Sequence, residues 1–328
     1  MKRREFISLL GGAVAWPLAA RAQPAGGLVQ LSILTSLSQS DPEAQSLLSV
    51  FRQQLTGLGW SEGHNIRSNY CSSEGDPKRL RACIKELAAS PPDLVLSIAT
   101  PALVALHQTT HSIPIVFLQV SGPVEGGFVA SLAHPGGNIT GFAPFVSSLG
   151  GKWLGFLKEI APQLTRVLIV MNPNNPGSRG LSRAIEAAAP SLGIKVMIGG
   201  VRDTAAIEPV VTAFAREANG GLIVLPDPVT VVHRDLIVSL AAQHGLPAVY
   251  SHRQFATAGG LLAYGTDLAE MYRRAAGYVD RILKGEKPAN LPVQAPAKFL
   301  LVVNLKSANS LGLKIPESFL LRADEVIE

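Results

Sequence analysis

The chain has 328 residues, of which 47% are hydrophobic and 16% charged, and a formal net charge of +5. Its first 22 residues carry a net +3, which leaves +2 for the rest, where no run of Lys or Arg occurs. A partner that binds through a basic patch, nucleic acid above all, is therefore excluded. About 300 residues beyond the N-terminal segment suffice for roughly two domains, each able to bury its own core.

The N-terminal segment has the organisation of a secretory signal peptide. Three basic residues precede an apolar stretch over residues 6–20, and Ala20-Arg21-Ala22 provides the small-x-small pattern of a cleavage site. That stretch has 15 residues with Gly and Pro inside it, whereas a helix that spans a membrane needs about 20. We therefore predict that residues 1–22 are a signal peptide and that the mature protein has no stable membrane insertion.

The export route stays open between two systems. Residues 3–7, RREFI, resemble the core of a twin-arginine signal, but Lys2 and Ser8 depart from its usual flanks, so Sec export also remains open. No Cys lies near the cleavage site, which argues against a lipid anchor there. Either route predicts a periplasmic protein.

From residue 28 onward, strands and helices alternate. Apolar runs predict the strands, and apolar residues three and four apart predict the helices, two of which begin with a capping Asp followed by Pro. The strands predicted in this first half span residues 28–34, 65–71, 93–98, 114–118 and 139–142. The predicted helices span residues 42–58, 77–89, 101–109 and 126–133.

The same alternation begins again after a crossing at about residues 143–147. The strands predicted in the second half span residues 166–171, 194–198, 221–225, 247–250 and 261–264. The helices predicted there span residues 149–160, 177–191, 203–218 and 229–244. Such alternation indicates parallel sheets covered by helices on both faces. We therefore predict an α/β protein with two Rossmann-like lobes joined by a hinge.

The C-terminal segment contains too few elements to bury a core of its own. It is predicted to form an amphipathic helix over 267–284, strands over 291–294 and 299–303, and a helix from about residue 306. These elements must complete the two lobes, so the chain crosses the hinge more than once. The predicted lobe I comprises residues 28–143 with about 266–288, and lobe II residues 144–265 with about 289–328.

The two cysteines, Cys71 and Cys83, permit a disulfide if the protein reaches an oxidising compartment. Cys71 lies at a predicted strand end, and Cys83 shares a helix face with apolar residues, where a free thiol behaves as a small hydrophobic side chain. We therefore expect free buried thiols. The sequence has no CxxC motif and no zinc-site spacing.

The motifs that mark common enzyme sites are missing from the sequence. It contains no GxGxxG, GxSxG or HExxH, and the GGK at 150–152 is followed by Trp153, so it is not a P-loop. His107 and His111 can share a helical face, but no acid or cysteine nearby completes a metal site. We predict no catalytic residue, metal or cofactor, and expect a protein that is not an enzyme. An exported two-lobed enzyme is kept as an alternative.

Polar turn residues follow the predicted strands, which is where open parallel sheets bind ligands. Any one of them can be an ordinary turn residue, but two facing lobes would bring them together. Thr100-Pro101 begins a helix whose free N–H groups suit a carboxylate, and Asp227 suits an amine, so the pattern fits a zwitterionic ligand. The candidate ligand-binding residues are Ser36, Ser38, Thr100, Pro101, Gln119, Ser121, Asn172, Asp227 and Tyr250.

Long stretches of the chain resemble one family of exported proteins. They include LAHPGGNITG at 132–141, LPDP at 225–228, AGGLLAYGTD at 258–267, RAAGYVDRILKGEKP at 274–288 and KFLLVVNLKSANSLGL at 298–313. On these residues the chain resembles the tryptophan/tyrosine-type substrate-binding proteins of ABC importers. The resemblance implies the type I periplasmic-binding-protein fold, with a permease and an ATPase as partners. It also implies ligand contacts by Asn172, Asp227 and the Thr100 turn.

One position departs from the family's pattern. Where the family reads Gly-Asp-Pro-Val, this chain has Ser121-Gly122-Pro123-Val124, so Gly122 stands in place of an acid. If that acid holds the ligand's amine or the closed lobes, the ligand or its affinity differs in this protein. The expected function is capture of a small molecule, an amino acid or a small carboxylate, by hinge closure. A ligand-sensing module for a signalling partner is the alternative with the same fold.

Overall fold

The chain folds into two β-sheets, each flanked by helices, as the alternation of strands and helices predicts. The computed structural model describes residues 27–146 and 148–328. The predicted signal peptide, residues 1–22, lies outside the described residues, and so does Ser147 of the predicted crossing.

The first sheet has five strands, all parallel. They are β1 (Val29–Thr35), β2 (Ile66–Ser72), β3 (Leu94–Ile98), β4 (Ile115–Leu118) and β5 (Ile139–Phe142), in the order β2-β1-β3-β4-β5. The helices between them are α1 (Pro42–Gly57), α2 (Pro77–Ala89) and α3 (Thr100–Thr109). We call this sheet and its helices lobe I. Its strands all end at one edge of the sheet.

The second sheet has seven strands, which with their helices form lobe II. The strands are β6 (Arg166–Met171), β7 (Lys195–Gly200), β8 (Gly220–Val224), β9 (Ala248–Tyr250), β10 (Leu262–Thr266), β11 (Phe299–Asn304) and β12 (Glu325–Ile327). Their order is β12-β11-β10-β9-β8-β6-β7, and only the β10–β11 pair is antiparallel. The remaining helices of the chain are α4 (Leu149–Ile160), α5 (Pro176–Ala188), α6 (Ile207–Phe214), α7 (Pro228–Val232), α8 (Arg234–Gln243), α9 (Arg253–Thr257), α10 (Leu268–Leu283), α11 (Leu305–Ser310) and α12 (Glu317–Leu320).

The C-terminal segment contributes elements to both lobes. Helix α10 packs against α1 and against β4 and β5 of the first sheet. The indole of Trp60 strengthens this packing, because its Nε1 donates a buried hydrogen bond of 2.9 Å to Asp280 Oδ1 on α10. Strands β11 and β12 instead extend the second sheet at its edge. The chain therefore passes between the sheets three times.

The inner strands are buried along their whole length. Every residue of β3, β4, β6 and β8 is buried, as parallel sheets covered on both faces require. These strands are runs of Val, Ile and Leu, which is why the sequence predicts them to within about two residues. They form the fixed base from which the polar residues at the strand ends project.

Two predicted elements are absent from the fold. Residues 126–133, predicted as a helix, form turns, since Gly127 has φ of +71° and the Gly126 N–H bonds to the Gly122 carbonyl. Residues 291–294, predicted as a strand, make a single bridge between Gln294 and β5. Both segments are short and Gly- or Pro-containing, so local composition offered little to fix their backbone.

The helices of lobe II are also more broken than predicted. The predicted helix over residues 229–244 is divided into α7 and α8 at His233, whose φ of −102° and ψ of 26° leave the helical region. Residues 203–218 begin as a 3₁₀ turn and only residues Ile207–Phe214 are α-helical. Helix α9 was not predicted, because five residues are too short for a recognisable period.

The expectation of two free thiols is wrong. Cys71 of β2 and Cys83 of α2 form a disulfide with a Cα–Cα distance of 5.9 Å, within the usual range for a bridge. Cys83 does lie on the buried face of α2, as predicted. That face packs on the end of β2, which brings the two sulfurs together.

Candidate ligand-binding cleft

A cavity of about 320 Å³ lies between the two lobes, at the carboxyl ends of their strands. This volume falls in the range of small-molecule sites, which is about 300–1,000 Å³. Lobe I lines it with residues after β1, β2 and β3, including Ser36, Ser73, Asp76, Thr100 and Pro101. Lobe II lines it with residues after β6, β7 and β8, including Asn172, Asn175, Arg202, Asp227 and Pro228.

The N-terminus of α3 forms a polar wall of the cavity. No side chain caps this helix, and Pro101 has no N–H, so the first turn presents its remaining amide groups at the positive end of the helix. Ala99, which precedes this helix, has φ of +76°. Residues with a side chain rarely adopt this backbone conformation, and those that do are concentrated at ligand-binding and active sites. Such a turn suits a carboxylate.

A second polar group in lobe I is available to a ligand. The Ser36 side chain is buried, lines the cavity, and its hydroxyl has no hydrogen-bond partner among the described residues. A buried hydroxyl without a partner is destabilising by about 1–3 kcal/mol. A bound ligand that accepts or donates here would remove that penalty.

The carboxylate of Asp227 organises the opposite wall. Oδ1 accepts from the Val229 N–H at 2.9 Å and from Asn172 Nδ2 at 3.2 Å, and Oδ2 accepts from Asn175 Nδ2 at 3.0 Å. Burial raises the pKa of Asp227, and the bonds from Val229, Asn175 and Asn172 oppose that rise. A carboxylate has about four acceptor positions, so one on Oδ2 stays available to a ligand donor.

The two lobes touch each other beside the cavity. Gly177 of α5 lies against Ser121, so closely that an added Cβ at Gly177 would be 2.2 Å from the Ser121 Cβ. Arg234 at the start of α8 pairs with Asp41, the N-cap of α1. These contacts join the lobes without lining the cavity.

Gly122 also lies at this contact between the lobes. Gly122 has φ of +61°, and a Cβ built there would be 3.6 Å from the Gly177 Cα and 3.2 Å from Glu125 Oε2. The Glu125 carboxylate therefore lies beside the position that a side chain at residue 122 would occupy. Glu125 is exposed, whereas Asp227 is the buried carboxylate of the cavity wall.

Most of the residues predicted from the sequence come together at this cleft. Ser36, Thr100, Pro101, Asn172 and Asp227 line the cavity. Gln119 lines a small adjoining space and donates from Nε2 to Tyr272 Oη at 2.9 Å. Ser38 lies at a small gap between the lobes, and Ser121 makes the contact with Gly177.

The prediction for Tyr250 is wrong. Its side chain points away from the cleft into the core of lobe II, where it stacks on Phe255 at 4.8 Å between ring centroids. Burial raises the pKa of its hydroxyl above the usual range. A strand end identifies the correct edge of a sheet, but the face to which its last side chain points depends on the pleat.

Several residues that line the cavity are not among those predicted from the sequence. Asn175 was visible as a cap before Pro176, and it both caps α5 and donates to Asp227. Asp76 and Arg202 follow β2 and β7, so they too lie at the carboxyl ends of strands. The apolar wall of Leu80 and Val104 comes from helix side chains, which no strand-end rule identifies.

Two α/β lobes with a ligand-sized cavity between them define a solute-binding protein with the type I periplasmic-binding-protein fold. The chain belongs to the ABC transporter substrate binding protein family, whose model matches residues 39–327. The resemblance seen in the sequence is thereby confirmed.

Several known proteins are similar to this chain over most of its length. A tyrosine-binding protein of Clostridioides difficile (strain R20291) is 22% identical over 273 residues, which are 83% of this chain and 78% of that protein. The structure of an ABC domain from Streptococcus pneumonia in complex with L-Trp matches with a TM-score of 0.85 and 25% identity, covering 92% of this chain and all of that one. A conserved domain protein of Vibrio cholerae gives a TM-score of 0.85 and 27% identity over the same shares.

Within residues 27–146 and 148–328, no helix combines the length and the apolar character that a membrane crossing requires. The same residues contain no cluster of three or more His, Cys, Asp or Glu side chains that could hold a metal ion.

Proposed function

We propose that this protein is the exported receptor of an ABC importer and captures an amino acid or a small carboxylate by hinge closure. The observation that carries the proposal is the cavity between the lobes, with the uncapped α3 turn on one wall and the Asp227 carboxylate on the other. A zwitterion placed between them would meet an N–H-rich turn with its carboxylate and an acid with its amine.

The lobes are proposed as the two moving bodies. Residues 28–143 with about 266–288 form one, and residues 144–265 with about 289–328 the other. The N–H groups of Val293 and Gln294 bond to carbonyls of Leu132 and Gly141, which favours a third crossing somewhat later, after Gln294. Three neighbouring crossings leave the lobes free to rotate about one hinge.

Closure makes the shape of the ligand-bound protein different from that of the free protein. A ligand held by the α3 turn of lobe I gains its contacts with Asp227 of lobe II only when the cleft is shut, so it favours the closed form. Shifting the protein from mostly open to mostly closed needs about 5 kcal/mol. A few charge-assisted hydrogen bonds of about 1.5–3 kcal/mol each suffice.

The apolar part of the cavity wall supports a ligand with an apolar body. Leu80, Val104, Ala105 and Val229 line it on both sides. The relatives named for tyrosine and bound to L-Trp support aromatic amino acids as the first compounds to test. Because the resemblance implies an acid where this chain has Gly122, aromatic carboxylates without an amine belong in the same test.

Export is supported by two features of the chain. The first 22 residues carry the signal-peptide pattern, and the Cys71–Cys83 disulfide is typical of an oxidising compartment such as the periplasm. The closed, loaded receptor would then bind to the importer's permease, and the ATPase would drive uptake of the ligand.

A thermal-shift screen of aromatic and aliphatic amino acids and carboxylates, on protein unfolded and refolded to remove any carried solute, tests the proposal. We expect at least one compound to raise the melting temperature and to bind stoichiometrically in calorimetry. X-ray scattering should then show a smaller radius of gyration with that compound. A compound recovered chemically changed, or binding without any change in scattering, would contradict it.

A further inference from the structure

One segment of lobe I forms an outer wall of the cavity and is closed into a loop by the disulfide. This wall segment, residues 71–83, runs from the end of β2 through the connecting turn into α2. Five of its residues line the cavity, namely Ser73, Gly75, Asp76, Pro77 and Leu80. The position of the segment therefore sets the width of the ligand's compartment.

The sheet itself holds this segment weakly. Strand β2 is at the edge of the first sheet and pairs with β1 alone. Past its end, the Ser73 N–H donates to the Thr35 carbonyl at 2.9 Å and the Ser72 hydroxyl to the Leu37 carbonyl at 2.5 Å. Glu74 then has φ of +50°, a backbone conformation that is unfavourable for any residue other than glycine unless the surrounding structure stabilises it.

Helix α2 has little core packing of its own. Cys83 and Leu87 are its only buried residues, whereas α1 buries five, including Phe51 and Leu55. One of the two anchors of α2 is thus the disulfide sulfur that ties it to β2. Without the bridge, Leu87 would be the one fully buried side chain left on the helix, with Leu80 and Ile84 only partly buried beside it.

We propose that the Cys71–Cys83 disulfide positions the wall segment and that affinity for the cleft ligand depends on it. Only the claim about affinity rests on the proposed function, whereas the claim that the bridge positions the segment does not. A freed segment would spend only part of its time in the binding geometry, and the apparent dissociation constant rises in inverse proportion to that fraction. The bridge is thus a determinant of affinity and not only of stability.

The first measurement needs no ligand. Amide hydrogen exchange is compared between the wild-type protein and the C71A/C83A double variant, with peptides that cover residues 71–83. We expect exchange in this segment to be faster by about tenfold or more in the variant, with α1 and the strands of lobe II unchanged. The matched control is Leu87→Ala, which weakens the same helix but keeps the bridge, and should leave the bonded amides of Ser73 and Asp76 as protected as in the wild type.

The second measurement is calorimetric binding of L-tryptophan by the same three proteins. We expect the double variant to bind about tenfold more weakly than the wild type, and Leu87→Ala to bind within about twofold. If even the wild type does not bind L-tryptophan, the choice of ligand class fails and hydrogen exchange alone decides the positioning role. Unchanged exchange over residues 71–83, or exchange that rises evenly throughout lobe I, would overturn the inference.

Discussion

Arg234 of lobe II donates from its guanidinium to the carboxylate of Asp41 in lobe I, and the pair lies outside the ligand cavity. Asp41 uses its other oxygen to cap α1, accepting from Glu43 at 2.9 Å and Ala44 at 3.1 Å. Both charged side chains are mostly buried, at 19% and 12% exposure, which limits screening by solvent. The pair therefore favours closed lobes whether or not a ligand is present.

The first prediction follows from this ion pair. Replacing Arg234 by Gln should weaken ligand binding about fivefold, corresponding to about 1 kcal/mol, because the closed form loses a contact that the open form does not have. Calorimetry with the compound identified by screening measures it. The control is Arg281→Gln, whose partner Glu286 lies in the same lobe, so its loss should leave affinity unchanged. Equal effects of the two variants would show that Arg234 does not act on closure.

The second prediction concerns the close approach of Gly177 to Ser121. Gly177→Ala should prevent full closure, because the new methyl group would lie 2.2 Å from the Ser121 Cβ and 2.7 Å from its carbonyl oxygen. We expect a larger radius of gyration for the loaded protein and binding at least about tenfold weaker. Stability should not fall, since Ala is the better helix residue.

Gly155→Ala is the matched control for that variant. Gly155 also lies within a helix, α4, but nothing is within 4 Å of a Cβ added there. Its scattering profile and affinity should equal those of the wild type. If both alanine variants close normally, the observed contact between the lobes is not a limit on closure.

The sequence was sufficient for the fold because its signals are local. Each buried strand is a run of apolar residues, and Asp-Pro at 41–42, 76–77 and 227–228 begins a helix in every case. These signals also give the edge at which the strands of each sheet end, and so the two edges that bring Thr100 of lobe I and Asp227 of lobe II to the same cavity.

The errors that bear on the cleft concern how elements are oriented. The disulfide depends on the angle at which α2 crosses β2, and neither element alone determines it. Tyr250 ends a strand next to the cleft but points into the core, while His252, two residues later, lines the space beside Asp227. The sequence contains both residues in a polar turn, and only the packing of Phe255 and Phe145 distinguishes them.

The third prediction separates the structural role of Asp227 from its role as a ligand contact. Asp227→Asn must keep an oxygen toward the Val229 N–H, which turns its amide group toward Asn175 Nδ2, another donor. We expect the free energy of unfolding to fall by about 2 kcal/mol, the penalty for buried donors without an acceptor. Chemical denaturation measures this loss.

A second variant provides the control for that prediction. Exchanging the two side chains, D227N with N175D, gives the new amide at position 227 a carboxylate acceptor at position 175, which can still accept from the Gly177 N–H. Stability should return to within about 0.5 kcal/mol of the wild type. A single variant as stable as the wild type would mean that the network around Asp227 adjusts without loss.

The last prediction is a dependence of stability on pH that comes from His252. Burial lowers the pKa of this imidazole to about 4, and the ring lies edge-on to Phe145 with Nδ1 2.9 Å from the Ser251 hydroxyl. In the unfolded chain its pKa is about 6.5, so between these values the unfolded state binds the proton and the folded state does not. Stability should therefore fall by about 2 kcal/mol between pH 7.5 and pH 5 from this group alone.

His252→Asn tests this contribution, because an amide can replace the hydrogen bond to Ser251 and does not titrate. The variant should be less stable than the wild type at pH 7.5, but the difference should shrink by about 2 kcal/mol at pH 5. Surface carboxylates titrate alike in both proteins and cancel in the comparison. The raised pKa of Asp227 acts in the opposite direction, adding stability as the pH falls toward 4, and it too is common to both. A difference that stays constant from pH 7.5 to 5 would mean that the folded protein accepts the proton on His252 without penalty.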